Sequence, residues 1–278
     1  MASIFRRYAP HYRSLLAMGV PIMVGQLGII LTGFVDNIMV GHHTTEELSA
    51  ASFVNNIFML PLMFATGFAM GITPLIGEQT GRNELLRAGQ TFRYGLYANA
   101  ILAVILIGIM GTLYFFLDRL GLPAELLPLM RPYYLLHLVG LIPVLLFNAF
   151  KHFADGTTDT LTPMFILLAS NLLNIIGNAL LIYGYAGFPE WGLFGAGVST
   201  LIARIFTIAA GWGIFLYRKR YRRFRSGFFR LPADRRLYRP ILTMGIPVAL
   251  QLGMETGSFS LSVIFIGWIG STALAAHQ

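Results

Sequence analysis

Seven apolar segments, each long enough to cross a bilayer, leave this chain few folds to choose from. They cover about 15–41, 50–79, 94–117, 130–151, 161–184, 192–217 and 240–270. Roughly 20 apolar residues span the hydrocarbon core. Inside lipid each backbone N–H and C=O must be satisfied by the segment itself, so the segments are helices and the fold class is an all-α polytopic membrane protein. The N-terminal MASIFRRYAPHYR looks like a signal-peptide n-region. The apolar run behind it is too long, however, and no small-residue cleavage site ends it, so it is a retained first helix.

The first segment also recurs. Leu242 to Gln278 aligns without a gap on Leu16 to Ser52: Met18-Gly19-x-Pro21 becomes Met244-Gly245-x-Pro247, Gly41 becomes Gly267, Leu48 becomes Leu274 and Ala50 becomes Ala276. Six spans separate the copies, so the repeats run parallel, an arrangement common in transporters. The expected organisation is an N-terminal six-helix lobe over 1–217, a basic linker over 218–239, and over 240–278 the first helix of an incomplete C-terminal lobe. Together these make a truncated twelve-helix fold.

Charge sets the orientation. Seventeen of the twenty Lys and Arg lie before the first segment, between the second and third, after the fourth, or between the sixth and seventh. The opposite loops hold only Arg119 and Arg131, and Arg204 lies inside the sixth segment. The positive-inside rule then puts the N-terminus in the cytoplasm, with HHTTEE and YGYAGFPEWG facing outward. The net charge of +8 is thereby explained by topology and contact with anionic lipid, not by nucleic-acid binding. The chain has no Cys, which removes disulfides and thiolate metal sites.

Only two carboxylates lie well inside apolar segments, Asp36 and Glu255. At 1.5 Å per residue, Asp36 is roughly 8 Å from the outer end of its helix and Glu255 roughly 22 Å from the cytoplasmic start of its own. Acids at membrane depth are costly and mark ion or substrate paths by default. Asn174 and Asn178 are four apart and share a helix face that Asn171 extends, and their amide oxygens suit Na⁺ or a hydrogen bond to a carboxylate. The alternative for that face is interhelical packing. Thr200 sits in the small-residue stretch GLFGAGVST and can join the same cluster. Pro21 breaks the first segment and is a candidate hinge, and Pro143 predicts a kink. His42 and His43 are adjacent in an outward turn and do not face one ligand, and His137 and His152 lack metal-ligand spacing. No G-x-x-x-x-G-K is present, so no ATP-binding loop is encoded in these residues.

GFVDNIMVGHH with LSAAS behind it, GEQTGR, ADGTTDTLTP, NLLNIIGNALLIYG and GLFGAGVST, in this order and spacing, resemble the multidrug and toxic compound extrusion (MATE) family, NorM-type bacterial branch. The resemblance implies twelve helices in two lobes, no enzymatic activity, no resident cofactor, and efflux of cationic amphipathic drugs driven by Na⁺ or H⁺ across the bacterial inner membrane. It places the family's cation or proton site on Asp36, Asn174, Asn178 and Thr200, and a substrate or coupling-ion acid on Glu255. It also implies that a missing C-terminal lobe is a partner and that this chain alone is a fragment, inactive by itself. Where the family's helix-5 pair is sometimes Asn and Asp, here it is two Asn, leaving one acid, Asp36, in the N-lobe site. Two other readings stand beside it: a flippase or polysaccharide exporter of the same superfamily, and a seven-helix receptor.

Overall fold

The structure is a computed structural model that describes residues 2–119 and 124–269, with side chains at 12–13, 15–119 and 125–259. The end of the second repeat, 270–278, including Leu274 and Ala276, lies outside the described residues. So do the side chains of Arg6 and Arg7.

The described residues form nine α-helices: α1 Ala2–His43, α2 Thr45–Met70, α3 Ile72–Gly81, α4 Leu85–Tyr114, α5 Leu127–Gly156, α6 Leu161–Ile182, α7 Gly192–Tyr217, α8 Arg222–Arg230 and α9 Tyr238–Ile269. Among the described residues six stretches are long and apolar enough to cross a membrane, with α2 and α3 together making one of them. α5 stands at the centre, against α2, α3, α4 and α7; α6 pairs with α7 and α1; α9 lies along α2.

Local chemistry explains the ends. Thr44 caps α2, its hydroxyl accepting from the Glu47 amide at 3.2 Å, while Glu46 and Glu47 complement the positive end of the helix dipole. The second apolar segment breaks at Gly71, because Pro74 has no N–H to offer the Met70 carbonyl. The glycine-rich side of α2, expected to line protein or water, meets another backbone. A Cβ on Gly67 would come within 2.7 Å of the Val248 carbonyl oxygen, and one on Gly71 within 2.6 Å of Gly245. From α9, Gly245, Ala249, Gly253 and Gly257 face α2 at four-residue intervals, a small-residue seam of the kind that brings membrane helices together.

The core falls into three parts, one of them, with Phe68, Tyr94, Ile241 and Ala249, lying where α2 and α4 meet α9. Near the α1–α2 turn it contains Val40, Phe58, Met130, Tyr134 and Leu193. At the opposite end it is aromatic, with Phe92 stacked on Phe153 at 4.3 Å and Phe150, Phe215 and Phe228 around them.

The basic segment 218–239 carries a helix that hydropathy does not reveal. α8 turns Phe224 and Phe228 into the aromatic core and leaves Arg222, Arg223 and Arg230 exposed. It crosses α4 at Gly89 and Gly227, where a Cβ on either would overlap the other helix's backbone. Arg93 donates to the Phe228 and Leu231 carbonyls at 2.8 and 3.1 Å, and Gln90 to the Pro232 carbonyl at 2.8 Å. The segment is therefore fastened along α4.

A candidate cation site between α1, α6 and α7

α1 and α6 run side by side, and their contact brings Asp36 to the asparagine face. Asn178 Nδ2 donates to Asp36 Oδ1 at 2.6 Å. An ionised carboxylate only accepts, so this bond fixes which way the amide points. One turn along α6, Asn174 Nδ2 donates to Thr200 Oγ1 on α7 at 3.2 Å, and Ser199 Oγ donates to the Asn174 carbonyl at 2.8 Å. Asn174 and Asn178 are 3% and 0% exposed. Their side-chain oxygens, Oδ1 of each, have no hydrogen-bond partner. Buried acceptors are seldom left unpaired, and each one costs free energy, so the cluster is short of donors or cations. A carboxylate, two free amide oxygens and a hydroxyl are hard oxygen donors, suited to a proton or to Na⁺. No group of three or more His, Asp or Glu able to hold a metal ion occurs among the described residues.

The cluster opens on a cavity of about 300 Å³ between α1, α2, α5, α6 and α7. Asp36, Asn171, Asn174 and Thr200 line it, on walls that include Ile29, Leu62, Val144 and Phe147. Four sequence-predicted site residues thus converge. Glu255 does not join them: it is exposed on α9, two residues from both Gly253 and Gly257, and so on the side away from the α2 seam. Pro21 is buried near the other end of α1, in a crevice with Lys151, Asp155 and Pro163, and the helix runs through it.

Three polar features escaped the sequence reading. Arg204 lines the same cavity as Asp36, a juxtaposition that depends on the rotation of α7 relative to α1. His43 bridges two acids, its Nδ1 lying 2.7 Å from Glu47 Oε2 and its Nε2 2.9 Å from Glu190 Oε1. This ties the α1–α2 turn to the α6–α7 loop, a role that the His42-His43 pair does not reveal in sequence. Asp159, in the α5–α6 turn, is 4% exposed and saturated. It accepts from Thr162 at 2.9 Å, from the Tyr221 hydroxyl at 2.7 Å and from Arg218 at 3.0 Å. Burial, then the hydrogen bond to Asp159, push the Tyr221 hydroxyl above its ordinary range, so it stays a donor.

Apolar spanning helices enclosing a polar, acid-bearing cavity define a multi-pass α-helical membrane protein of transporter fold. Residues 21–180 match the MatE family, and the chain belongs to it. A probable multidrug resistance protein NorM from Oceanobacillus iheyensis is 29% identical over 262 residues, covering 93% of this chain and 58% of that protein. Its counterpart from Synechococcus sp. is 30% identical, covering 95% and 57%. Among solved structures, a MATE protein in a bent conformation superposes with a TM-score of 0.81 at 22% identity, over 95% of this chain and 58% of that one. A MOP superfamily transporter from Pyrococcus furiosus, described as having a binding pocket of reversed polarity, gives 0.79 at 21%, over 94% and 57%. These likenesses establish the fold, and the chain spans a little over half the length of the proteins it matches.

Proposed function

We propose that this chain supplies the cation-binding lobe of a multidrug efflux antiporter. Asp36, with Asn174, Asn178 and Thr200, takes up a proton or Na⁺, and the energy of its movement drives small amphipathic organic compounds outward. The observation that carries this reading is a half-buried acid held at 2.6 Å by Asn178 beside buried amide oxygens that have no partner. The names of the NorM relatives support multidrug export. Glu255 would serve a second cavity, between this lobe and another of which α9 is the first helix, with Pro21 as a hinge in α1. The location would be the bacterial inner membrane, N-terminus inside, as the basic loops direct. The reading as an exporter of anionic lipid-linked sugars draws on Arg204, but Asp36 in the same cavity opposes an anion that carries no positive group.

The test is uptake of ²²Na⁺ by the purified chain, and proton release on a pH jump. Asp36→Asn should lower cation affinity by about 100-fold or more, the scale of a lost charged ligand. Unchanged uptake would remove the site. Orientation is checked separately: Thr45→Cys and Gly187→Cys should react with an impermeant thiol reagent outside intact cells and Ser226→Cys should not, against a background free of native Cys.

A further inference from the structure

Asp36 and Arg204 are the two charged side chains lining the cavity, and they do not pair. Their charged atoms lie more than 4.0 Å apart, and the Arg204 guanidinium makes no hydrogen bond or ion pair among the described residues. This is costly. A guanidinium carries five N–H donors, cannot shed its charge, and at membrane depth has no bulk water to meet them. The protein nevertheless makes room for it. Gly140 on α5 leaves a niche in which a Cβ would press on Arg204 Nη1 and, at 3.2 Å, on Cδ. Arg204 sits one helical turn from Thr200, so its backbone lies roughly 6 Å along α7 from the residue that touches the Asn174 cluster. The cavity therefore carries one negative group, Asp36, and one positive group, Arg204, among walls that mix apolar side chains with amides and hydroxyls.

A cavity so polarised is a poor host for a plain organic cation, because a cation drawn to Asp36 also meets Arg204. It suits a molecule with both charges. The planar fork of Arg matches a carboxylate with two parallel hydrogen bonds, the strongest pairing available to it. Asp36 and the free amide oxygens remain for an ammonium. A volume of about 300 Å³ is at the lower end for small-molecule sites and admits a compact amphipathic ring.

We infer that Arg204 is a carboxylate-binding, specificity-determining residue, and that the lobe cavity takes zwitterionic amphipathic ligands, ammonium toward Asp36 and carboxylate toward Arg204. The inference rests on the transport reading in treating this cavity as a ligand site. Its experiment reads a ratio that loss of cation coupling leaves intact.

The probes are 4-(aminomethyl)benzoate, a zwitterion at pH 7, and its methyl ester, a cation of nearly the same shape. Each is titrated calorimetrically into the purified chain in detergent, with protein-free micelles as the blank. The zwitterion should bind about tenfold more tightly than the ester, the scale of one charge-assisted hydrogen bond. Arg204→Gln should abolish that preference by weakening the zwitterion and strengthening the ester. Arg204→Lys, which keeps the charge in case the Gln variant fails to fold, should retain part of it. Asp36→Asn should weaken both probes together and leave the ratio, so that failure of the cation site and failure of this inference are read separately. Equal affinity for the two probes in the unsubstituted chain would overturn it. So would a preference that survives Arg204→Gln, a parallel gain for both probes that marks Arg204 as only a counter-charge to Asp36, or no saturable binding of either probe to the folded chain.

Discussion

Asp36 and Asp159 are both carboxylates shielded by the fold, and they live in opposite circumstances. Asp159 is surrounded by donors: Thr162, Tyr221 and Arg218 all reach it, and Arg220 Nε lies 3.9 Å away. Asp36 has one amide, beside oxygens that nothing satisfies and an arginine that does not touch it. Saturation closes a site to newcomers, since an incoming ion would have to displace bonds already made. Deficiency leaves a site open. Of two acids in one lobe, the impoverished one is the candidate for chemistry and the enriched one is a fastener, tying the α5–α6 turn to the segment that leads into α8.

That contrast can be broken by substitution. The largest effect on folding belongs to Asp159→Ala, which strands the Tyr221 hydroxyl and the Thr162 side chain and leaves Arg218, half exposed, unpaired. A loss of about 3 kcal/mol is expected, below the full value for a buried ion pair because Arg218 reaches solvent. Thermal melting in detergent reads it, and cation uptake by the protein that remains folded should be normal. Asn178→Ala comes next. It should weaken cation affinity about tenfold, while moving the melting midpoint by no more than about 1 kcal/mol would. If instead it unfolds the lobe as severely as Asp159→Ala does, both acids are fasteners and the comparison collapses. The smallest effect is that of Glu255→Gln. Exposed on the far side of α9, it should leave ²²Na⁺ uptake at the Asp36 site unchanged, and a loss there would place Glu255 in the wrong cavity.

The parts of this arrangement that could be read in advance were those that repeat along one helix. The four-residue step from Asn174 to Asn178 fixes a face whatever surrounds it, and Asp36 stands out by the cost of its burial. The seam of Gly245, Ala249, Gly253 and Gly257 carries the same kind of signal, and it implies that Glu255 points the other way. Arg204 was visible as a residue but not as a neighbour of Asp36, since rotation between helices leaves no trace in one sequence. α8 was hidden because its apolar positions, Phe224 and Phe228, are outnumbered by arginines within nine residues. His43 was judged by its neighbour in sequence, whereas its partners lie one turn on, at Glu47, and across the fold, at Glu190.

The close approach of α2 and α9 has a mechanical meaning. In sequence the seventh span repeats the first, yet its backbone is seated in notches cut into the second. Helices meshed in this way do not glide. Displacing one along the other requires every small residue to clear its notch together and to drop into the next, a step of about 6 Å for a four-residue repeat. α2 and α9 therefore move as one spar, and any rearrangement of the helices must find its bearings away from this joint.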